Sequence, residues 1–128
     1  MSLGARILVV EDDASLQQLL KRNFERAGYV VAQAFNGAEL DREIRAAAPD
    51  VIVLDVTLPD ADGRDLLSKL KQDPKTMGIP VIMWSGGDAE SERRIALDLG
   101  AEDYVEKGPA SELVLKIERL LFRLRMPA

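Results

Sequence analysis

Three short, wholly apolar segments separated by longer amphipathic ones most strongly limit the fold of this chain. Residues 7–10 read ILVV, residues 51–54 read VIVL and residues 81–84 read VIMW. Apolar runs of this length are typical of strands that are buried on both faces of a sheet. Such strands need helices on both sides, and the segments between them carry apolar residues at helical spacing. The pattern therefore predicts an α/β domain with a central parallel sheet.

Two less apolar strands are predicted over residues 29–35 and 103–107, and their mixed composition is typical of sheet edges. Five helices are predicted: from residue 15 to Gly28 and over residues 38–48, 63–72, 89–99 and 110–125. Ile95, Leu97 and Leu99 are predicted to face inward in the fourth helix, and Leu124 in the fifth. Strand and helix therefore alternate five times. Right-handed crossovers then favour a doubly wound five-stranded parallel sheet of order 2-1-3-4-5, a flavodoxin-like (βα)5 fold.

The length of 128 residues is that of one domain, so we expect a single domain over residues 1–128 with an ordered core of approximately 5–125. No apolar run approaches the roughly 20 residues that cross a bilayer, and no signal peptide is visible. We therefore expect a cytoplasmic protein without a membrane partner.

The chain contains no cysteine and no histidine. This excludes disulfides, thiolate metal sites, cysteine nucleophiles and Ser-His-Asp chemistry. The formal net charge of −5 argues against direct binding of nucleic acid, which requires a basic face. Any chemistry must use carboxylates, hydroxyls, lysine, backbone amides or a metal ion held by oxygen atoms.

Chemically active side chains follow four of the five predicted strands. In a sheet of this order the site lies at the carboxyl ends of the strands, at the switch point between strands one and three. Each such residue alone is more often a turn former or a helix cap, which is how we interpret Asp13, Asp60 and Asp62. The residues that converge on the predicted edge are Glu11, Asp12, Asp55, Ser85, Gly86 and Lys107.

Three crowded carboxylates repel one another unless a cation lies between them. An all-oxygen cluster suits Mg²⁺ (or Mn²⁺), held here by Glu11, Asp12, Asp55 and the backbone carbonyl of Thr57. Asp55 is then the candidate nucleophile towards phosphorus. The groups that would contact the phosphoryl oxygens are the Lys107 ammonium, the Ser85 hydroxyl and the Gly86 amide.

Four motifs occur in order along the chain: ILVVEDD at 7–13, VIVLDVTLPDADG at 51–63, VIMWSGG at 81–87 and DYVEK at 103–107. With these motifs the sequence resembles the receiver domain of two-component response regulators, including the chemotaxis-regulator type. The resemblance implies that Asp55 takes a phosphoryl group from a sensor histidine kinase or a phosphotransfer protein. It implies that Ser85 and Tyr104 are switch residues. It also implies a protein that catalyses only its own phosphorylation and dephosphorylation and is otherwise no enzyme.

The resemblance further implies an output surface formed by residues 89–99, 103–107 and 110–125. This surface would signal to an effector domain or a downstream protein, or form a homodimer. Two departures from the family pattern occur. The usual Lys-Pro pair is interrupted in Lys107-Gly108-Pro109, which puts in question whether the Lys107 side chain is directed at the site. In addition, Trp84 is large for its position. For Trp84, core filling is the simpler interpretation and a partner contact the alternative.

Three rival functions remain. A receiver fold used only for phosphorylation-independent docking or dimerisation ranks second, because Asp55, the acidic pair and Lys107 are all present. A haloacid-dehalogenase-type phosphatase would need a second aspartate after Asp55 and a cap domain. A flavodoxin would need a phosphate loop after the first strand, where this chain has acids.

Overall fold

The computed structural model describes residues 4–87 and 90–125, in which strands and helices alternate as the sequence predicts. In chain order the elements are β1 (Arg6–Val10), α1 (Ala14–Arg26), β2 (Val30–Ala34), a 3₁₀ turn (Gly37–Glu39), α2 (Leu40–Ala47), β3 (Val51–Asp55), α3 (Gly63–Gln72), β4 (Val81–Ser85), α4 (Glu90–Asp98), β5 (Asp103–Glu106) and α5 (Ala110–Arg125). Most predicted bounds are met within one or two residues. Residue 89, the predicted start of the fourth helix, lies outside the described residues.

The five strands form one parallel sheet of order β2-β1-β3-β4-β5, which confirms the predicted topology. In the register of the sheet, Val10 pairs with Leu54, Leu54 with Met83, and Met83 with Tyr104. The carboxyl ends of β1, β3, β4 and β5 therefore reach the same edge. Side chains that follow these strands are brought together by this alignment.

Alternate strand residues pack into two apolar layers, one on each face of the sheet. Helices α1 and α5 cover one face, and α2, α3 and α4 cover the other. All five residues of β3 are buried, as is expected of the central strand. The first layer contains Ile7, Val9, Val53, Ile82 and Trp84, and the second contains Leu8, Val10, Ile52, Leu54 and Met83.

Trp84 fills the layer beneath α1 and α5, with only 1% of its surface exposed. This confirms core filling as the interpretation of the large residue at this position. Its indole Nε1 is buried and has no hydrogen-bond partner among the described residues. The ring therefore belongs to the hydrophobic core and not to an exposed partner surface.

The helix ends follow local signals in the sequence. Asp13 caps α1 by accepting a hydrogen bond from Leu16 N, and Asp62 caps α3 by accepting one from Arg64 N. Gly28 follows α1 and Gly100 follows α4, both with positive φ (101° and 110°), a conformation that favours glycine. These contacts confirm Asp13 as a helix cap and show that Asp62 caps α3. No described helix has the length and apolar character needed to span a membrane.

The predicted inward face of α4 is wrong. Ile95 and Leu97 are 44% and 40% exposed, whereas Ala96 between them is 1% exposed and packs on the sheet. Ile95, Leu97 and Leu99 are spaced by two residues, so they cannot share one face of a helix with 3.6 residues per turn. Leu124, also predicted to face inward, is 52% exposed in the last turn of α5.

Candidate functional site

Three carboxylates meet at the carboxyl edge of the sheet, as predicted. One oxygen each from Glu11, Asp12 and Asp55 lies within 4.8 Å of the other two. Glu11 and Asp55 are buried (0% and 2% exposed), and Asp12 is open to solvent. The arrangement offers oxygen ligands with one open side, a donor set that suits a divalent cation of the hard type.

Lys107 lies between the two buried carboxylates. Its Nζ is 2.8 Å from Glu11 Oε1 and 3.0 Å from Asp55 Oδ2. Burial raises the pKa of Glu11 and outweighs the opposing hydrogen bond from Lys107. Burial alone would lower the pKa of Lys107, but its contacts with Glu11 and Asp55 raise it overall, so the lysine stays charged. The site therefore holds a fixed positive charge beside Asp55.

The glycine between Lys107 and Pro109 does not turn the lysine away from the site. The backbone N–H of Lys107 donates to the carbonyl of Ser85 at the end of β4. This bond extends the pairing of β4 and β5 past the last strand residue. Lys107 therefore leaves the sheet in register, and its side chain reaches Asp55 despite the departure from the family pattern.

The loop after β3 folds tightly around Asp55. The N–H of Thr57 donates to Asp55 Oδ1 at 3.0 Å, and Thr57 pairs with Asp62 in an antiparallel bridge. At the start of α3, Gly63 N donates to Val56 O at 2.7 Å. These bonds fix one carboxylate oxygen of Asp55 and place the Thr57 backbone beside it.

Ser85 ends β4 at the same edge and is 5% exposed. Its Oγ accepts a hydrogen bond from Gly87 N at 3.0 Å, so the hydroxyl is engaged in its own turn. Gly86 between them is exposed, and a Cβ there would meet no atom within 4 Å. Ser85 and Gly86 thus lie at the predicted edge, and the space beside Gly86 is open.

Tyr104 is buried (3% exposed) and contacts the turn after β4 through its hydroxyl. The oxygen lies 3.1 Å from Gly87 O and 2.9 Å from Glu92 Oε2 on α4. Arg93 donates to the Tyr104 carbonyl at 2.9 Å. The ring therefore connects β5 with α4 and with the turn that carries Ser85. The sequence gives no signal for Glu92 as a partner, because an acid in the first turn of a helix is common.

Asp60 does more than turn the chain after Pro59. Its Oδ1 accepts from Gly37 N at 2.7 Å and its Oδ2 accepts from Ala38 N at 3.0 Å. These N–H groups lower the pKa of Asp60, because they bind its charged form. The Asp60 carboxylate thereby ties the loop after β3 to the 3₁₀ turn before α2.

We expect Asp60→Ala to destabilise the fold at neutral pH and to lose this effect in acid. A carboxylate with a lowered pKa stabilises above the ordinary aspartate pKa, and the stabilisation disappears as the pH falls through the lowered value. Urea midpoints measured from neutral pH into acid test this, with Asp98→Ala, an exposed aspartate at the end of α4, as the control. A deficit of equal size at every pH would contradict the role of the charged Asp60.

Gln17 is a buried polar residue that the motifs do not reveal. Only 1% of its surface is exposed, and its amide contacts the backbone at the end of β1. The available signal was its place on the inward face of α1, three and seven residues before the buried Leu20 and Phe24. A polar residue on that face indicates a specific buried hydrogen bond.

Comparison with known proteins decides the family. The sequence model of the response regulator receiver domain family matches residues 7–118 of this chain. This chain belongs to that family. Over 128 aligned residues it is 37% identical to the alkaline phosphatase synthesis transcriptional regulatory protein PhoP of Bacillus subtilis, covering 98% of this chain and 52% of PhoP. It is 36% identical over 121 residues to the phosphate regulon transcriptional regulatory protein PhoB of Rhizobium meliloti, covering 94% of this chain and 53% of PhoB.

Solved structures of response regulator receiver domains share this fold. The receiver domain of the Francisella response regulator 1452 superposes with a TM-score of 0.87 at 32% identity, over 95% of this chain and 100% of that one. The chain is thus a response regulator receiver domain, and its aspartate and acidic pocket fit phosphoryl transfer. Such domains are signalling proteins. The chain spans about half the length of the curated relatives it matches.

Proposed function

We propose that Asp55 accepts a phosphoryl group from the phosphohistidine of a sensor histidine kinase or of a phosphotransfer protein. The observation that carries this proposal is the buried Asp55 carboxylate at the mouth of the central strand, with Lys107 3.0 Å away and two more acids beside it. Asp55 is the nucleophile: one of its carboxylate oxygens forms the new bond to phosphorus while the bond from phosphorus to the donor's histidine nitrogen breaks, and the imidazole leaves. The match to the receiver-domain family covers residues 7–118 and so includes Asp55, which supports this assignment.

We propose Mg²⁺ (or Mn²⁺) as the cation of the acidic cluster, held by Glu11, Asp12, Asp55 and the backbone carbonyl of Thr57. The donor set fits, because it consists of oxygen atoms and one side of it is open to solvent. When bound, the ion neutralises negative charge on the transferring oxygens.

Around Asp55 the other side chains orient the phosphoryl group. Lys107 exchanges its contact with Asp55 for a phosphoryl oxygen and keeps the positive charge at the site. The Ser85 hydroxyl, which now accepts from Gly87 N, turns to donate to another phosphoryl oxygen, and the Gly86 amide assists. Together these three groups stabilise the negative charge that phosphorylation adds to Asp55.

The movement of Ser85 reaches the output surface through Tyr104. Because Gly87 contacts both the Ser85 hydroxyl and the Tyr104 hydroxyl, a shift of the turn alters the Tyr104–Glu92 contact. We propose that this switches the surface of α4, β5 and α5 for an effector domain, a downstream protein or a second copy of the chain. In this proposal residues 1–128, with a core of about 5–125, act as one receiver domain that catalyses only its own phosphorylation and dephosphorylation.

The test is incubation with acetyl phosphate and Mg²⁺, followed by intact mass spectrometry. The wild type should gain one phosphoryl group, and Asp55→Asn should gain none. Chelation of the metal with EDTA should suppress the wild-type adduct. Absence of an adduct in the wild type, or an equal adduct in Asp55→Asn, would refute the proposal and favour a docking module that works without phosphorylation.

A further inference from the structure

The amide of Gln17 lies where the backbone of β1 becomes the acidic turn. Its Nε2 is 3.0 Å from Val9 O, 3.1 Å from Glu11 O and 2.9 Å from Ala34 O. Two N–H groups are therefore shared among three carbonyl oxygens of two neighbouring strands. The same Ala34 carbonyl also accepts from Glu11 N at 3.0 Å. Gln17 thus closes the end of the β1–β2 pairing.

A second glutamine fixes the orientation of this amide. Gln33 on β2 donates from Nε2 to Gln17 Oε1 at 3.3 Å. With the oxygen of Gln17 engaged in this way, its NH₂ group faces the three carbonyls, which only a donor can satisfy. A flipped amide would place an oxygen against three oxygens. The pair of glutamines therefore has one favourable arrangement.

The segment held by Gln17 carries the candidate cation ligands. The carbonyl of Glu11 that Gln17 binds belongs to the same residue whose carboxylate contacts Lys107, and Asp12 follows it directly. Asp13 N donates to Glu11 Oε2 at 3.0 Å and so closes the turn from the other side. A displacement of residue 11 would break the bond between Gln17 and the buried Glu11 carbonyl, at a cost in free energy.

We propose that Gln17 is a positioning residue for the acidic pair, which sets the affinity of the site for its divalent cation. This inference rests on the proposed function, because it assumes that Glu11 and Asp12 bind the ion. Gln17 does not contact the ion in this proposal. It acts through the backbone of residues 9 to 11, as groups behind metal ligands do when they orient the ligands.

The matched variants are Gln17→Met and Gln18→Met. Methionine has a similar length, a similar helix propensity and no side-chain N–H donor, so the change isolates the side-chain amide. Gln18 lies next to Gln17 on α1 but is exposed, and its replacement leaves the carbonyls untouched. Gln33→Met, on the edge strand, removes only the group that orients the Gln17 amide and serves as a milder second variant.

The readout is the Mg²⁺ dissociation constant of each folded protein, measured by isothermal titration calorimetry beside its urea midpoint. We expect Gln17→Met to weaken Mg²⁺ binding by about tenfold, the lower end of what orienting groups contribute. Gln33→Met should weaken it less, and Gln18→Met should match the wild type. If Gln17→Met does not fold, the Mg²⁺ dissociation constants of Gln33→Met and Gln18→Met test the positioning role instead. Weaker binding by Gln33→Met alone would support it, and equal binding would overturn it.

The outcomes separate this inference from the proposed function. A wild type that binds no Mg²⁺ would overturn the cation site itself. A wild type that binds Mg²⁺, together with Gln17→Met and Gln33→Met dissociation constants within about twofold of it, would overturn only the positioning role. A lower urea midpoint in Gln17→Met without weaker Mg²⁺ binding would also overturn the positioning role. It would show that Gln17 stabilises the fold but does not orient the cation ligands.

Discussion

Replacement of Lys107 by methionine is expected to destabilise the domain by about 3 kcal/mol at neutral pH, because it leaves two buried carboxylates without their counter-charge. The side chains of Glu11 and Asp55 are only 1% and 4% exposed, and each loses an ion pair of 3.0 Å or less. The lysine itself is 27% exposed, so we expect the low end of the range known for broken buried pairs. Urea unfolding measures the change.

The pH dependence of this variant has a definite sign. Burial already raises the pKa of Glu11, and loss of Lys107 removes the hydrogen bond that opposes this rise. A carboxyl group with a raised folded-state pKa stabilises below its ordinary pKa and loses that contribution as the pH rises through the folded value. The deficit of Lys107→Met should therefore be small in acid and full at neutral pH. Mg²⁺ should reduce it, because the ion restores positive charge to the cluster.

Lys116→Met is the matched control for Lys107→Met. Lys116 pairs with Asp103 at 3.3 Å, but its side chain is 43% exposed, so its loss should cost less than about 1 kcal/mol at any pH. Equal deficits for Lys107→Met and Lys116→Met would contradict the role of Lys107 as the counter-charge of the site. So would a Lys107→Met deficit that does not change with pH.

Gly63→Ala is expected to be the most damaging single-methyl change among the described residues. A Cβ at Gly63 would overlap the carbonyl oxygen of Asp55 and lie 2.9 Å from Val56 Cα. Both obstacles are backbone atoms, so no side-chain rotation can make room. The Gly63 N–H bond to Val56 O enforces this close approach. We expect a loss of about 3 kcal/mol in unfolding free energy and a lower rate of phosphorylation, because the loop around Asp55 must move.

Gly78→Ala tests whether the effect comes from the contact. A Cβ at Gly78 would meet no atom within 4 Å, so its unfolding free energy should stay within about 0.5 kcal/mol of the wild type. Urea unfolding and the rate of acetyl phosphate labelling of both variants provide the comparison. A Gly63→Ala protein with wild-type stability would show that the loop after β3 is looser than the contacts at Gly63 indicate.

The sequence predicts the sheet well because burial on both faces leaves a direct mark. The runs at 7–10, 51–54 and 81–84 are continuously apolar, and these segments form the three central strands. Once the order of a parallel sheet is known, its carboxyl ends must share one edge. The sequence alone therefore places Glu11 and Asp55 together.

Side-chain partners across the fold could not be predicted in the same way. In the fourth helix Ile95 and Leu97 are exposed, and it is the small Ala96 between them that packs on the sheet. The two backbone donors that bind Asp60 lie 22 and 23 residues earlier in the chain. Such contacts depend on the distance between loops in the folded chain, which no local pattern encodes. Only the place of Gln17 on an apolar helix face gave a local hint.

The central claim is that Asp55 is the residue that becomes phosphorylated, and chemical mapping of the product tests it most directly. After labelling with acetyl phosphate and Mg²⁺, borohydride reduces an aspartyl phosphate to homoserine, which peptide mass spectrometry locates. We predict homoserine at position 55 in the wild type and none in a sample without phosphodonor. Homoserine at another aspartate, or a phosphoryl group that survives on a hydroxyl side chain while Asp55 remains unchanged, would contradict the account.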